Sequence, residues 1–277
     1  MKNIFLLAGT DIKRTIRTPK LWLLLIFTFL FFYDFADQSV LPFAKGLNVG
    51  VAPYMFILFY TDWSGLMYGL MLMVMLMSDA PFRNGSEIYI KLRIDSSRWM
   101  IGKLLYMTAA ALIYHAISAV IAVAVCLPYV GFSLDWGDAI KGYINMLPGS
   151  ITMEGITEGN GLLSYKPVEA MAYQYIIAVL VTVMLGLIIF TLNGIFKNYI
   201  GTVIVCIFSC IHTFINAFNS YGRLSGISSK IPMTWLNLGE YSEKMTPLLA
   251  IIIIFVISMS IFALDMILIK AKRLEVV

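Results

Sequence analysis

The sequence predicts an all-α, polytopic integral membrane protein with six transmembrane helices and an N-terminal amphipathic interfacial helix. Three observations predict it. Hydrophobic residues make up 60% of the 277 and charged residues 13%, about half the ~25% that keeps a soluble domain wet. Six apolar stretches meet or approach the length needed to cross a bilayer, since a helix rising ~1.5 Å per residue takes about 20 residues to span ~30 Å of hydrocarbon. The basic residues flank those stretches and form no single stripe, which excludes a nucleic-acid-binding face. The chain reads as one transmembrane domain over residues 1–277.

Residues 2–18 are the interfacial helix. At about 100° per residue, Ile4, Phe5, Ala8, Ile12 and Ile16 share one arc, and Lys2, Lys13, Arg14 and Arg17 the opposite one. A basic amphipathic helix buries its apolar face at the headgroup boundary and attracts anionic lipid, so the bilayer itself is a partner. The alternative is an ordinary flank of the first span; Leu6 and Leu7 interrupt the polar side. Pro19 suits a bend into the first span. No short apolar core with a small-residue cleavage site succeeds the basic residues, so that span is read as retained.

The spans run over about 21–40, 57–78, 104–129, 171–196, 199–218 and 247–269. Carboxylates interrupt the first two, at Asp34, Asp37 and Asp62, which leaves their continuity open. Only Lys197 and Asn198 separate the fourth from the fifth, which predicts a tight hairpin. With both termini cytoplasmic, the inner segments hold 14 of the 20 basic residues and the outer loops Lys45, Lys141, Lys166, Arg223, Lys230 and Lys244. This bias sets the orientation in a cell membrane. Phe31, Phe32, Tyr33, Tyr60, Trp63, Tyr129 and Trp136 cluster toward the outer ends, as interfacial belts do.

Three segments lie outside the spans. The cytoplasmic segment 79–103 alternates Ile88, Ile90, Leu92 and Ile94 with Tyr89, Lys91 and Arg93, a strand period. It is either a docking element or a solvated loop. Asp95-Ser96-Ser97 reads as a helix cap. In the outer loop 134–169, Trp136, Ile140, Tyr143, Ile144 and Leu147 recur at helical spacing and predict a second surface helix, with a loop after Pro148. The outer loop 219–246 carries Trp235 and is placed to cap an outer cavity.

Polar groups within the spans are where chemistry would sit. Asp34 lies about 21 Å along its helix from Lys20, and Asp62 about 25 Å back from Asp79. Both fall in the outer third, on consecutive helices. They form an acidic mouth for a cationic substrate, or they snorkel outward and satisfy neighbouring backbone groups. Met67, Met71 and Met75 share one face of the second span. Such a stripe is packing, an adaptable contact for apolar cargo, or a soft copper(I) site; packing is the simplest reading, and no metal is assigned. His115, His212 and the Cys206–Cys210 pair read as satisfied packing, because three ligands on one helix do not converge. Cys126, also within an apolar run, completes the three cysteines, and no disulfide framework is indicated. Asp265, just ahead of Lys270, Lys272 and Arg273, is expected to reach the inner interface and pair there. Gly65, Gly69 and Gly186 are placed to permit close helix contacts.

A basic amphipathic helix, then six spans with both ends inside and the longest cytoplasmic loop between the second and third, resembles an ABC-2-type permease, the transmembrane subunit of an ATP-binding-cassette (ABC) transporter. In that loop Ser97-Arg98-Trp99 and Gly102-Lys103 stand where the family has a Pro-x-Ser-Arg-like step and a Gly-Lys, with Asp95 and Ser96 near the family's proline and Gly85 and Glu87 upstream. The resemblance implies a non-catalytic subunit that works as a dimer with a second permease subunit, identical or related, and with a separate ABC ATPase. The chain has no Gly-x-x-x-x-Gly-Lys-Ser/Thr loop to cradle phosphates, so ATP and magnesium belong to the partner and no cofactor to this chain. Segment 83–97, with Arg98 next to it, would dock on the ATPase, the docking residues being Arg83, Glu87, Tyr89, Lys91, Arg93 and Arg98. The substrate path would include Asp34, Asp62, Met67, Met71 and Met75. Export of a peptide or amphiphilic, drug-like substrate is the expected direction. The rival is a gradient-driven transporter or channel working alone, a class marked by internal repeats, broken helices or paired intramembrane charges.

Overall fold

The computed structural model describes residues 2–81, 94–146, 161–218, 231–241 and 246–271. Arg83, Glu87, Tyr89, Lys91 and Arg93, the alternating run up to Arg93, the loop after Pro148 as far as residue 160, and Lys272 and Arg273 lie outside the described residues, as does the side chain of His212. Among the described residues the protein is helical and contains no strand; Val51 and Val130 make an isolated bridge.

α1 (Lys2–Arg17) gives way at Thr18 to α2 (Pro19–Gln38). Thr18 is extended and Pro19 opens the helix, a position where the missing N–H costs nothing. α3 (Val40–Leu47) follows directly and stops at Asn48, whose left-handed backbone (φ 53°) ends the helix. The first apolar run is thus one helix of spanning length plus a short continuation.

The second run is broken. α4 (Met55–Thr61) and α5 (Trp63–Met77) meet at Asp62 with a bend of 103°. Asp62 is extended, and its carboxylate accepts from the backbone N–H of Ser64 (2.9 Å) and Gly65 (3.4 Å) and from the Ser64 hydroxyl. A capping aspartate starts a new helix here. Gly65 makes the turn possible: a Cβ there would stand 1.8 Å from the Phe59 carbonyl oxygen. Every residue from Met55 to Tyr60 is buried, and Phe59 stacks on Phe32 with ring centroids 4.2 Å apart. α5 alone is about 22 Å long, short of the ~30 Å a span needs.

α6 (Ser96–Val125) begins at the expected cap, where the Asp95 carboxylate accepts from the Ser97 N–H at 3.2 Å. The helix therefore starts eight residues ahead of the apolar run at 104 and takes in Trp99–Lys103. α7 (Gly137–Met146) is the helix expected in the outer loop; it packs on α3. α8 (Pro167–Phe196) and α9 (Ile200–Phe218) form the expected hairpin, turned by Lys197 in the left-handed region (φ 58°). α10 (Pro247–Lys270) is capped by Thr246, whose hydroxyl accepts from the Leu249 N–H at 3.3 Å.

α2, α6, α8 and α10 are each long and apolar enough to cross a membrane, and the bent pair α4–α5 makes a fifth if it is one span. In α9 the apolar stretch among described side chains is shorter, Ile200–Cys210. α8 is the central helix: 72% of its most apolar window is buried, against 22% for α10. It packs on α5, α6, α9 and α10. The outward faces of α2 and α10 are apolar, with Trp22, Ile26, Leu30, Ile252, Phe255 and Val256 exposed. Apolar surface of that extent is the make-up of a membrane protein and not of a soluble monomer.

Candidate functional site

At one end of the bundle, α1 lies along the first turns of α6. Leu7 seats against Gly102, where a Cβ would come within 2.6 Å of the leucine Cδ2. One turn on, the Lys103 ammonium donates to the Asp11 carboxylate at 2.8 Å, and the Lys103 side chain is fully buried. One turn further, the Thr15 hydroxyl and the Tyr106 phenol are hydrogen-bonded at 2.6 Å. Lys103 also sits 5.5 Å from the Trp99 ring centroid, a cation–π contact. Residues 7, 11 and 15 recur every four positions, the spacing of one helix face.

This contact redraws the amphipathic helix. Of the apolar arc read from the sequence, Ala8 is buried and Ile4 and Ile12 are half-buried, while Phe5 and Ile16 face outward. α1 thus shows three faces: one to α6, one apolar and outward, and one basic with Lys13, Arg14 and Arg17 exposed.

The same end gathers the ends of α5 and α8 and the start of α9. Lys20 donates to Asp79 at 2.7 Å and to the Leu76 carbonyl at 3.3 Å, tying the start of α2 to the end of α5. The Asn193 carboxamide donates to the Ala80 carbonyl (2.7 Å) and accepts from the Thr202 N–H (3.2 Å), so the α8–α9 turn holds the chain just past α5. The described chain on either side is anchored, at Ala80 by Asn193 and at Asp95 by the cap of α6. Of the six docking residues, Arg98 is the one described; it is exposed on the first turn of α6.

At the other end, Asp34 and Asp62 come together in one crevice of about 160 Å³, with Phe31, Tyr68 and Tyr143 among its walls. Asp34 is exposed and accepts from the Gln38 amide at 2.8 Å. Asp62 is half-buried and spends one oxygen on its cap. Phe31 and Tyr68 stack with centroids 4.3 Å apart. Burial, and next the Asp62 charge, hold the Tyr143 phenol well above its ordinary pKa, so it stays neutral and able to donate. The Asn237 amide donates to the Thr61 carbonyl at 3.2 Å, so the loop carrying Trp235 reaches the α4–α5 break. Asp62 thus satisfies neighbouring backbone groups and also lines the crevice that holds Asp34.

Between the ends, three polar pairs join helices: Thr28 with Tyr114 at 3.0 Å, His115 with Thr182 at 2.8 Å, and Thr191, which donates to Asp265 at 2.7 Å. Asp265 is fully buried against α8, a correction to its expected place at the interface. It points across the bundle to Thr191 and not along the helix to Lys270, and its second oxygen has no partner among the described residues. Met67, Met71 and Met75 form a half-buried row on α5, whereas Met73 and Met77 are buried. Among the described residues no three His, Cys, Asp or Glu side chains gather as metal ligands.

Sequence reasoning missed Asp11 and Lys103 as a pair. The available signal was an aspartate on the apolar side of an amphipathic helix, a place where a carboxylate needs a cation. Compared with known proteins, the chain matches no family model, no curated protein and no solved structure.

Proposed function

We propose that the chain is the membrane-spanning permease subunit of an ATP-driven transporter, resembling the ABC-2 type, and that it exports a peptide or amphiphilic substrate. It spans a cell membrane six times, through α2, α4–α5, α6, α8, α9 and α10, with both termini in the cytoplasm. The observation that carries this reading is the α1–α6 clamp beside the two ends of segment 82–93. A force applied to that segment or to α1 reaches α6 through Lys103 and Tyr106, and reaches α2 and α5 through Lys20 and Asp79. A subunit driven by a cytoplasmic ATPase needs such a transmission. The ATPase and its ATP and magnesium belong to a separate polypeptide, and a second permease subunit completes the path. The acidic crevice at the far end suits the exit of a cationic substrate.

Two observations favour the rival, a gradient-driven transporter: the break between α4 and α5, and the buried Asp265. One experiment separates them. The tagged chain is withdrawn from its native membranes in gentle detergent and its companions are identified by mass spectrometry. A stoichiometric ABC ATPase, lost when Tyr89, Lys91 and Arg93 are replaced together, is the expected result. An intact chain that comes out with no ATPase would leave the gradient-driven reading.

A further inference from the structure

α6 carries an exposed apolar face to the far end of the bundle, the end where Asp34 and Asp62 meet. Ile113, Val120 and Leu127 stand seven residues apart, two turns of one helical face, and are 48%, 68% and 68% exposed. From Leu104 to Val125 the helix rises about 33 Å, close to the ~30 Å thickness of the hydrocarbon core. In a spanning bundle the chain that follows, residues 126–135, therefore emerges at the level of the lipid headgroups.

Phe132 is 92% exposed and Leu134 84%, the most exposed large apolar side chains among the described residues. Ser133 between them is half-buried, the alternation of an extended segment, so the two apolar side chains share one side. The segment is held from behind. The Val51 N–H donates to the Tyr129 carbonyl at 2.6 Å, and the Gly131 N–H to the Val51 carbonyl at 2.9 Å. Gly50 and Gly131 meet backbone to backbone: a Cβ on Gly50 would stand 2.7 Å from the Gly131 Cα. The Tyr54 hydroxyl donates to the Ser133 carbonyl at 3.2 Å, and the Asp135 N–H to the Ser133 hydroxyl at 3.0 Å. A fixed backbone thus holds two large apolar groups outward, an arrangement that gains nothing in water and removes apolar surface from water in lipid. Close by, the Lys45 ammonium stands 5.8 Å from the Tyr129 ring centroid, an amphipathic pair of the kind that sits at headgroup level.

We propose that Phe132 and Leu134 insert into the bilayer at the boundary between headgroups and acyl chains and anchor the far end of α6. The occupant is lipid because the exposed apolar face of α6 ends at Leu127, five residues ahead of Phe132 and at the depth of that boundary. The anchor is apolar, so it takes a zwitterionic bilayer such as phosphatidylcholine and needs no anionic headgroup. Through Val51 and Tyr54 it also fixes the chain that leads into α4. The proposal rests on the membrane-spanning part of the proposed function and not on an ATPase partner, so a pull-down that yields no ATPase leaves it standing.

The test uses the full chain in phosphatidylcholine nanodiscs, both faces of which are open to water. Cysteine is introduced singly, as Phe132→Cys, Leu134→Cys, Val120→Cys or Lys141→Cys, all at exposed positions. Each is labelled with a nitrobenzoxadiazole fluorophore, and the unsubstituted chain with its own three cysteines gives the background. The variants at 132 and 134 each keep the other apolar residue of the pair. Two quenchers are compared: a nitroxide on the upper acyl chain of the lipid, and aqueous iodide. Val120→Cys calibrates a lipid-facing position and Lys141→Cys a wet one. Insertion by ~5–10 Å places the labels at 132 and 134 beside the nitroxide. The lipid quencher is therefore expected to act on both, and iodide to act several-fold less than at 141. The proposal is overturned if iodide quenches 132 and 134 as strongly as 141, which would leave the loop in water. It is equally overturned if neither quencher reaches them, since a protein surface, a second copy of this chain included, would then cover the loop. A Val120 label that reports water would remove the membrane-spanning reading itself, and the anchor with it.

Discussion

The Lys103 ammonium and the Asp11 carboxylate meet at 2.8 Å with the lysine fully buried, ninety-two residues apart in sequence. Removing one partner of a buried ion pair leaves the other charge unsolvated and costs about 3–5 kcal/mol. Lys103→Ala is expected to destabilise the detergent-solubilised chain by that amount. Lys103→Ala with Asp11→Ala should cost clearly less than the two single changes added together. Denaturant titration of the four proteins measures the coupling; additive losses would mean that the pair does not hold α1 in place.

Lys20 and Asp79 offer the contrast. Their side chains are 24% and 59% exposed, and pairs of that kind contribute about 0.2–1 kcal/mol. Asp79→Asn should therefore shift stability by less than about 1 kcal/mol. A loss as large as that of Lys103→Ala would place Asp79 in a setting drier than its exposure indicates.

Asp62 separates capping from charge. Asp62→Ala removes the acceptor for the Ser64 and Gly65 amides and should cost about 1–2 kcal/mol, whereas asparagine keeps an acceptor and most of the stability. Asp34→Asn and Asp62→Asn together would then empty the crevice of charge without dismantling the turn. Transport of cationic candidates should fall in that variant while transport of neutral ones persists. Equal rates for both classes would remove the crevice from the substrate path.

Gly65 admits no side chain. A methyl group there meets the backbone oxygen of Phe59, and neither atom can swing aside. Gly65→Ala should destabilise by about 3 kcal/mol or more, seen as poor yield or a lowered unfolding temperature. A tolerated alanine would indicate that α4 and α5 can open relative to each other.

Asp265 tests the source of energy. Asp265→Asn keeps an oxygen to accept from Thr191 and loses the ability to carry a proton. In an ATP-driven permease, transport in reconstituted vesicles should survive this change at close to the original rate. Loss of transport with folding intact would favour the gradient-driven reading.

How much of the fold was legible depends on whether the signal is local. α8 and α10 fall within a few residues of their apolar runs, because a proline at the first helical position marks each start and hydropathy marks the length. The Asp95 cap and the surface helix over 137–146 were readable for the same reason. The Lys103 pair was not, because counting basic residues by topology treats every one as solvated, and its partner lies in a helix far away along the chain. The break at Asp62 was legible only as an open question of continuity, and the bend itself was not: the run 57–78 stays apolar on both sides of a single aspartate. The clue was there in Asp62 followed by Ser64 and Gly65, a capping residue ahead of a small one. Asp34 and Asp62 were legible as neighbours in depth, and only the bend showed that they share a crevice.

The buried half-helix α4 also bears on how the chain enters the membrane. Its seven residues are too short to be accepted by themselves as a spanning segment. Part of what covers α4 is α8, which leaves the ribosome more than one hundred residues later. During synthesis, α4 and the open peptide groups at its bend must wait at the edge of the bilayer or in the insertion machinery. They can be laid in only after the central helix arrives. Chains truncated before Pro167 should hold residues 55–61 accessible to water-soluble thiol reagents at introduced cysteines, and chains extending past Phe196 should protect them.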